Sequence, residues 1–105
     1  IQRNRLMENA REELKRAHVF QKNDPKALEN PYYRKAATLY SQALEIFPDA
    51  PLLEERAHTY EMWGAIPEAI SDLTKATSLA PEKAADYQER IKKLKEKLPM
   101  GIRKP

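Results

Sequence analysis

Two segments of the chain, 33 residues apart, repeat one helical spacing of small and apolar residues, and each ends at a proline. In the second segment Ala69, Leu73 and Ala76 follow one another at steps of four and three residues, and Pro81 ends the run. These steps are typical of one face of an α-helix, and proline stops a helix because it has no N–H to donate. The fixed offset therefore predicts a repeated helical unit. The matched positions are Tyr33/Ile66, Ala36/Ala69, Tyr40/Leu73, Ala43/Ala76 and Pro48/Pro81.

Glycine is scarce, because the 105 residues include only Gly64 and Gly101. Tight β-hairpins and phosphate-binding loops depend on glycine, whereas the abundant Ala, Leu, Glu, Lys and Arg favour helices. The sequence therefore predicts an all-α chain. We expect five helices over about 3–22, 32–47, 50–63, 67–80 and 84–98. Residues 23–31 contain two prolines and predict either a long loop or a loop with one helical turn around 26–29.

Four residues predict where the middle helices begin and end. Asp49 is suited to cap the third helix, and Pro51 fits its first turn, where a missing N–H costs little. Gly64 fits a left-handed helix terminus, and Pro67 then opens the fourth helix. The sequence therefore predicts a tight turn between two helices.

Small side chains occupy the predicted helix contacts. We expect Ala57, Ala69 and Ala76 to be buried where helices approach closely. The last helix carries an apolar stripe that would cover the preceding pair: Tyr87, Ile91, Leu94 and Leu98. Because an uncovered end of a helical array exposes apolar surface, truncation after Pro81 should cause aggregation or loss of cooperative unfolding.

Residues 50–83 resemble the tetratricopeptide repeat, a unit of two antiparallel helices. The matching positions are Leu53, Ala57, Tyr60, Gly64, Ala69, Leu73, Ala76 and Pro81. Arg56 departs from the pattern, since a large aliphatic residue is usual there. The upstream repeat matches in its second helix only, and an insertion in its turn leaves the register of the first helix open.

The resemblance implies a short solenoid of stacked antiparallel helix-turn-helix pairs with a C-terminal capping helix. We expect one tetratricopeptide-like domain over 1–98, made of a degenerate repeat (3–48), a well-matched repeat (50–83) and a capping helix (84–98). Residues 99–105 are expected to form a flexible basic tail. The chain starts at Ile1 without an initiator Met, so we expect it to be a piece of a longer protein.

The sequence offers no convincing catalytic constellation. It has no cysteine, three serines and two histidines, whereas a nucleophile needs an adjacent base and an orienting group. We therefore predict a non-enzymatic protein without a cofactor or a metal site. His18 and His58 supply two imidazoles, whereas zinc usually needs three or four ligands.

The favoured hypothesis is a protein-interaction module that binds a peptide or helical segment on the concave face that the resemblance implies. The predicted groove residues are Glu54, Glu55, His58, Glu61, Met62 and His18. Their carboxylates favour a basic or amphipathic segment. Some family members hold acidic chaperone tails in a clamp of Lys, Asn and Arg. Here Glu55 stands where the clamp needs Asn, and Ala85 and Glu89 replace its Lys and Arg, so we expect no such binding.

The alternative is a structural or assembly subunit of a ribonucleoprotein or another large complex, held through basic ends. Residues 1–48 carry a net charge of +3, residues 49–81 carry −4, and residues 82–105 carry +4. The predicted basic patch is Lys92, Lys93, Lys95 and Lys97. The alternative interpretation is that these lysines are simply the solvated face of the closing helix. Nucleic acid is possible as a partner but less favoured than protein. No run of residues is apolar enough for a membrane span. Because disulfides are rare in reducing compartments, the lack of cysteine favours an intracellular location (cytoplasm, nucleus or organelle matrix).

Overall fold

The computed structural model describes residues 2–27 and 29–98 and consists of helices. The five α-helices are α1 (Gln2–Asn23), α2 (Pro31–Ile46), α3 (Ala50–Trp63), α4 (Ile66–Leu79) and α5 (Ala84–Lys95). One turn of 3-10 helix, Pro81–Lys83, joins α4 to α5. No strand occurs in the described ranges, and the predicted all-α class is confirmed.

The chain divides into two compact units, of which the first ends at Pro48 and the second begins at Asp49. In the first unit α1 packs on α2. In the second unit α3 packs on α4, and α4 packs on α5. Each unit is therefore built by helices that are neighbours in the sequence.

Two contacts show that α1 and α2 run antiparallel. At one end, Arg3 Nε donates to the carbonyl oxygen of Phe47 at 3.0 Å. At the other end, Asn30 Nδ2 donates to the carbonyl oxygen of Ala17 at 2.9 Å. Asn30 also caps α2, because its Oδ1 accepts the backbone N–H of Tyr32 at 3.1 Å. The first unit is thus a helical hairpin fixed at both ends by polar contacts with backbone carbonyls.

Alanine lies at the centre of both units. Ala57, Ala69 and Ala76 are buried, with at most 1% of each exposed, as the spacing predicts. In the first unit four more alanines are fully buried: Ala10, Ala17, Ala36 and Ala43. The distance between packed helices depends on the side chains at the contact, so alanine permits a close approach. Larger buried side chains complete the cores: Tyr33, Tyr40, Leu52, Leu73 and Tyr87.

The ends of α3 are formed by the residues that the sequence indicates. Asp49 accepts the backbone N–H of Leu52 at 2.9 Å, and Pro51 lies in the first turn. Gly64 adopts φ +92°, a left-handed conformation that is unfavourable for residues with a Cβ. Pro67 lies in the first turn of α4. The predicted tight turn between α3 and α4 is confirmed.

The last helix differs from its prediction at the C-terminal end. Tyr87, Ile91 and Leu94 are buried, as expected. However, α5 ends at Lys95, and the Leu98 N–H bonds to the carbonyl of Lys95, three residues back, at 3.2 Å. The proline at position 99 disfavours helical geometry at Leu98 only, so it does not account for an end at Lys95. Leu98 is half-buried outside the helix, and the tail 99–105 lies outside the described residues.

The loop between α1 and α2 contains a hydrogen-bonded turn rather than a helix in its described part. The N–H of Ala27 donates to the carbonyl of Asp24 at 3.1 Å. Leu28, inside the short helix that the sequence left open, lies outside the described residues. Residues 24–27 and 29–30 therefore favour the simple loop.

Replacing Ala69 by Leu tests the alanine contact. The larger side chain overpacks a fully buried position on α4, so we expect the unfolding free energy to fall by roughly 1–3 kcal/mol. Ala85→Leu, at an exposed position of α5, is the matched control and should change stability by less than about 0.5 kcal/mol. Urea unfolding followed by circular dichroism measures both variants. Equal midpoints would show that the α4 contact is not tightly packed.

Candidate functional site

The carboxylate of Glu54 lies at the centre of a polar cluster that ties α3 to α5. It accepts a hydrogen bond from the Tyr87 hydroxyl. Lys83 Nζ lies 3.7 Å from its Oε2, and Arg90 Nη1 lies 3.9 Å from its Oε1. Burial of the phenol, followed by its hydrogen bond to Glu54, raises the pKa of Tyr87 to about 12. The first predicted groove residue is therefore bound within its own unit.

A second carboxylate of α3 is also paired within the unit. Lys97 Nζ lies 2.9 Å from Glu61 Oε2, although more than half of the lysine side chain stays exposed. One member of the predicted groove and one member of the predicted basic patch are thus partners of each other. An exposed pair of this kind contributes at most about 1 kcal/mol to stability.

These pairs change the electrostatics expected of α3. A basic segment that approaches Glu54 or Glu61 must displace a cation of the protein itself. An acidic segment would meet Lys83, Arg90 and Lys97 as well as carboxylates. The preference for a basic ligand stays a prediction, and its charge argument is weaker at these two positions than the sequence indicates.

The other groove residues are more accessible but lie in different units. His58 and Met62 are exposed on α3, and Glu55 is half-buried. His18 is exposed in the first unit, where its ring is edge-on to Tyr33 at 6.2 Å between centroids. A single groove shared by His18 and α3 stays a prediction. Within residues 2–27 and 29–98, no three His, Cys, Asp or Glu side chains form a group that could hold a metal ion.

The remaining lysines of the basic patch lie near the C-terminal end of α5. Lys92, Lys93 and Lys95 are exposed, and no described carboxylate lies within ion-pair distance of them. Lys92 and Lys95 border an open pocket of about 310 Å³. Cations at this end also interact favourably with the helix dipole, which gives the patch a structural role that needs no ligand.

Arg56 departs from the tetratricopeptide pattern because it is paired with Asp72, a partner that the sequence pattern did not indicate. Its guanidinium donates two hydrogen bonds to Asp72, at 2.8 Å from Nε and 2.7 Å from Nη2. The Asp72 side chain is only 3% exposed. The hydrogen bond raises the pKa of Arg56 further above its ordinary value. The guanidinium also lies over the ring of Tyr60, 5.5 Å from its centroid. The sequence signal for this pair was one basic and one acidic residue, each on the apolar face of its predicted helix.

Breaking the Arg56–Asp72 pair should destabilise the second unit. Asp72→Ala removes a buried carboxylate that accepts two hydrogen bonds, and we expect a loss of roughly 3 kcal/mol in chemical unfolding. Glu68→Ala, an exposed carboxylate on the same helix, should cost less than about 0.5 kcal/mol. The double variant Arg56→Met/Asp72→Leu replaces the pair by apolar side chains and should recover most of the loss. If Asp72→Ala and Glu68→Ala unfold alike, the pair does not stabilise the fold.

The first unit has an open, partly apolar pocket between the C-terminal half of α1 and the start of α2. We call it the α1–α2 pocket, and it is lined chiefly by Val19, Phe20, Tyr32, Glu12, Lys15 and Arg16. Its volume is about 380 Å³, within the range of small ligand sites (about 300–1,000 Å³). Val19 is 59% exposed, and the rings of Phe20 and Tyr32 meet edge-on at 5.9 Å. The wall of the pocket is therefore apolar and largely aromatic.

Asn30 fixes the geometry of the α1–α2 pocket. It is 92% buried, and its two hydrogen bonds join the Ala17 carbonyl to the N–H of Tyr32. One side chain thus sets the start of α2 against α1 and places Tyr32 beside Phe20. Sequence patterns do not single out Asn30, because its contact with Ala17 crosses a loop and follows no period.

No protein-family model, curated protein or solved structure matches this chain, so the tetratricopeptide resemblance rests on its own residues. None of the helices in the described ranges has the length and apolarity that a membrane crossing requires. The functional argument therefore depends on the surfaces described above.

The pKa of Tyr87 provides a test of the Glu54 cluster. Its ordinary value is 10.0 and its value in the folded protein is about 12, so its contribution to stability is present below pH 10 and is lost as the pH rises toward 12. Glu54→Gln removes the negative charge and should lower the pKa of Tyr87 without returning it to 10, because burial is the larger cause. Absorbance titration of tyrosinate, referenced to Tyr87→Phe, measures the shift.

Glu89→Gln is the control, since Glu89 is an exposed carboxylate on α5, the helix that carries Tyr87. It should leave the titration of Tyr87 unchanged. A titration curve in Glu54→Gln that overlies the curve of the unmodified protein would contradict the hydrogen bond to Glu54.

Proposed function

We propose that this chain is a non-catalytic protein-interaction module, and that the α1–α2 pocket receives a segment of another protein. The observation that carries the proposal is the exposed apolar wall of Val19, Phe20 and Tyr32 on a hairpin whose geometry is already fixed. Contiguous exposed apolar surface is costly in water and commonly marks a protein-binding site. The pocket suits a side chain of a partner better than a whole small-molecule substrate, because it is open and its charged lining residues are exposed to water.

The same proposal takes the helix pairs as degenerate tetratricopeptide repeats. The positions of Ala57, Gly64 and Ala69 support it, since close packing and a left-handed turn are what that repeat needs from them. Modules of stacked helix pairs present extended surfaces to peptides, which agrees with an interaction role. The predicted groove on α3 stays a second surface of this module, with two of its carboxylates bound internally.

Affinity capture with matched variants tests the interaction role. Val19→Asp places a charge in the wall of the α1–α2 pocket, whereas Leu79→Asp makes the same change at a 52% exposed position of α4. Both side chains are largely exposed, so both variants should fold, which circular dichroism checks. We expect identified binding proteins to be retained by the unmodified chain and by Leu79→Asp and lost with Val19→Asp. Equal capture by all three proteins would contradict the assignment of the pocket.

A second candidate function is assembly into a larger complex through the basic end. The exposed cluster of Lys92, Lys93 and Lys95, with no described carboxylate within ion-pair distance, supports it. Charge-driven binding to nucleic acid weakens steeply between roughly 50 and 200 mM salt, whereas binding in an apolar pocket weakens little. If Lys92→Glu/Lys95→Glu abolishes capture while Val19→Asp does not, this second candidate replaces the first.

A further inference from the structure

The geometry points to an acidic segment with one large apolar side chain as the partner that the α1–α2 pocket takes. This inference rests on the proposed function and deepens it. The apolar side chain would insert against Val19 and the two aromatic rings, and the flanking Asp or Glu residues would contact cations at the rim.

The wall of the pocket favours an apolar anchor. Val19 projects from α1 with more than half of its surface in water, and Phe20 and Tyr32 are half-buried beside it. Covering a side chain of this size typically stabilises a complex enough to change affinity by roughly tenfold. A polar anchor would gain nothing from this wall and would lose its own hydration.

The rim of the pocket favours acidic flanks. Lys15 and Arg16 line it, against one lining carboxylate, Glu12. A third cation lies next to the wall, because Lys35 Nζ is 5.3 Å from the centroid of the Tyr32 ring. No carboxylate among the described residues lies within ion-pair distance of Lys35. The excess of cations attracts an acidic segment and repels a basic one.

The existing ion pairs at the rim do not block this use. Lys15 and Glu12 are 3.4 Å apart with 76% and 59% of their side chains exposed. Arg16 pairs at 2.8 Å with Glu13, one helical turn before it, and stays 58% exposed. The exposed Lys15–Glu12 pair is worth at most about 1 kcal/mol, so Lys15 can turn to an incoming carboxylate at little cost. The Glu13 side chain is only 18% exposed, so Arg16 stays with Glu13, and Lys15 and Lys35 are the cations that contact the acidic flanks.

The pocket is also preorganised for binding. The hydrogen bonds of Asn30 hold Tyr32 beside Phe20 before any partner arrives. A site that needs little ordering loses less free energy on association. The inference therefore requires no rearrangement of the hairpin.

Calorimetric titration with three synthetic peptides of equal length, blocked at both ends, tests the inference. The first has Phe flanked by Glu residues, the second has the same Phe flanked by Lys, and the third has Ala in place of Phe among the Glu residues. We expect the first to bind the full chain at least tenfold more tightly than either of the others. Val19→Asp should weaken its binding by roughly tenfold or more, and Leu79→Asp should leave it unchanged.

A charge-reversal pair tests the rim separately. Lys35→Glu should weaken binding of the Glu-flanked peptide several-fold and should strengthen binding of the Lys-flanked peptide. Lys75→Glu, an exposed lysine on α4 outside the pocket, is the matched control and should have no effect on either peptide. Equal effects of the two reversals would overturn the role of the rim.

The outcomes separate this inference from the proposed function. If the Lys-flanked peptide binds best and Val19→Asp abolishes that binding, the pocket is a protein-binding site but the acidic partner is wrong. If neither Phe peptide binds, or if Val19→Asp leaves the affinity unchanged, both the inference and the pocket assignment are overturned. Binding of the Ala peptide as tight as that of the Phe peptide shows attraction by charge alone and overturns the apolar anchor.

Discussion

Packing of the helices around buried alanines holds both units together. Ala57, Ala69 and Ala76 are buried on α3 and α4, and four alanines are fully buried on α1 and α2. Tyrosine and leucine side chains complete these cores, whereas several other large apolar side chains remain outside them. The largely exposed examples are Val19, Ile46, Phe47, Met62 and Leu79. The surfaces available to partners are thus a consequence of how the helices pack.

Charge pairing within the second unit decides which ionic groups stay available to a ligand. The buried Asp72 carboxylate binds Arg56, and the Glu54 carboxylate contacts Tyr87 and two cations. A removed partner would leave a buried charge, which costs far more than the pair contributes. In the first unit Lys15 is exposed and weakly paired and Lys35 is exposed beside the α1–α2 pocket, so these two cations can respond to a partner. This contrast is why the pocket, rather than the acidic stripe of α3, carries the functional proposal.

The sequence predicted those features that depend on neighbouring residues. Asp49 and Gly64 act on the backbone within a few positions, and the alanine spacing follows the helical period, so all three could be read directly. The pairing of Arg56 with Asp72 joins two helices and breaks the apolar pattern at both positions, so no local rule finds it. The same holds for Asn30, whose contact with Ala17 spans the loop and creates the pocket. The end of α5 at Lys95 follows no such local signal, because Pro99 restricts only Leu98.

The central claim is that the α1–α2 pocket, and not α3 or the lysines of α5, is the surface that binds another protein. Backbone amide chemical shifts of the labelled full chain, recorded while the Glu-flanked Phe peptide is added, test it most directly. The account predicts that the largest changes fall at Val19, Phe20 and Tyr32, with little change in 54–62 and 90–97. Changes concentrated in 54–62 would favour the predicted groove, and changes concentrated in 90–97 would favour the basic end. Either result would contradict the account.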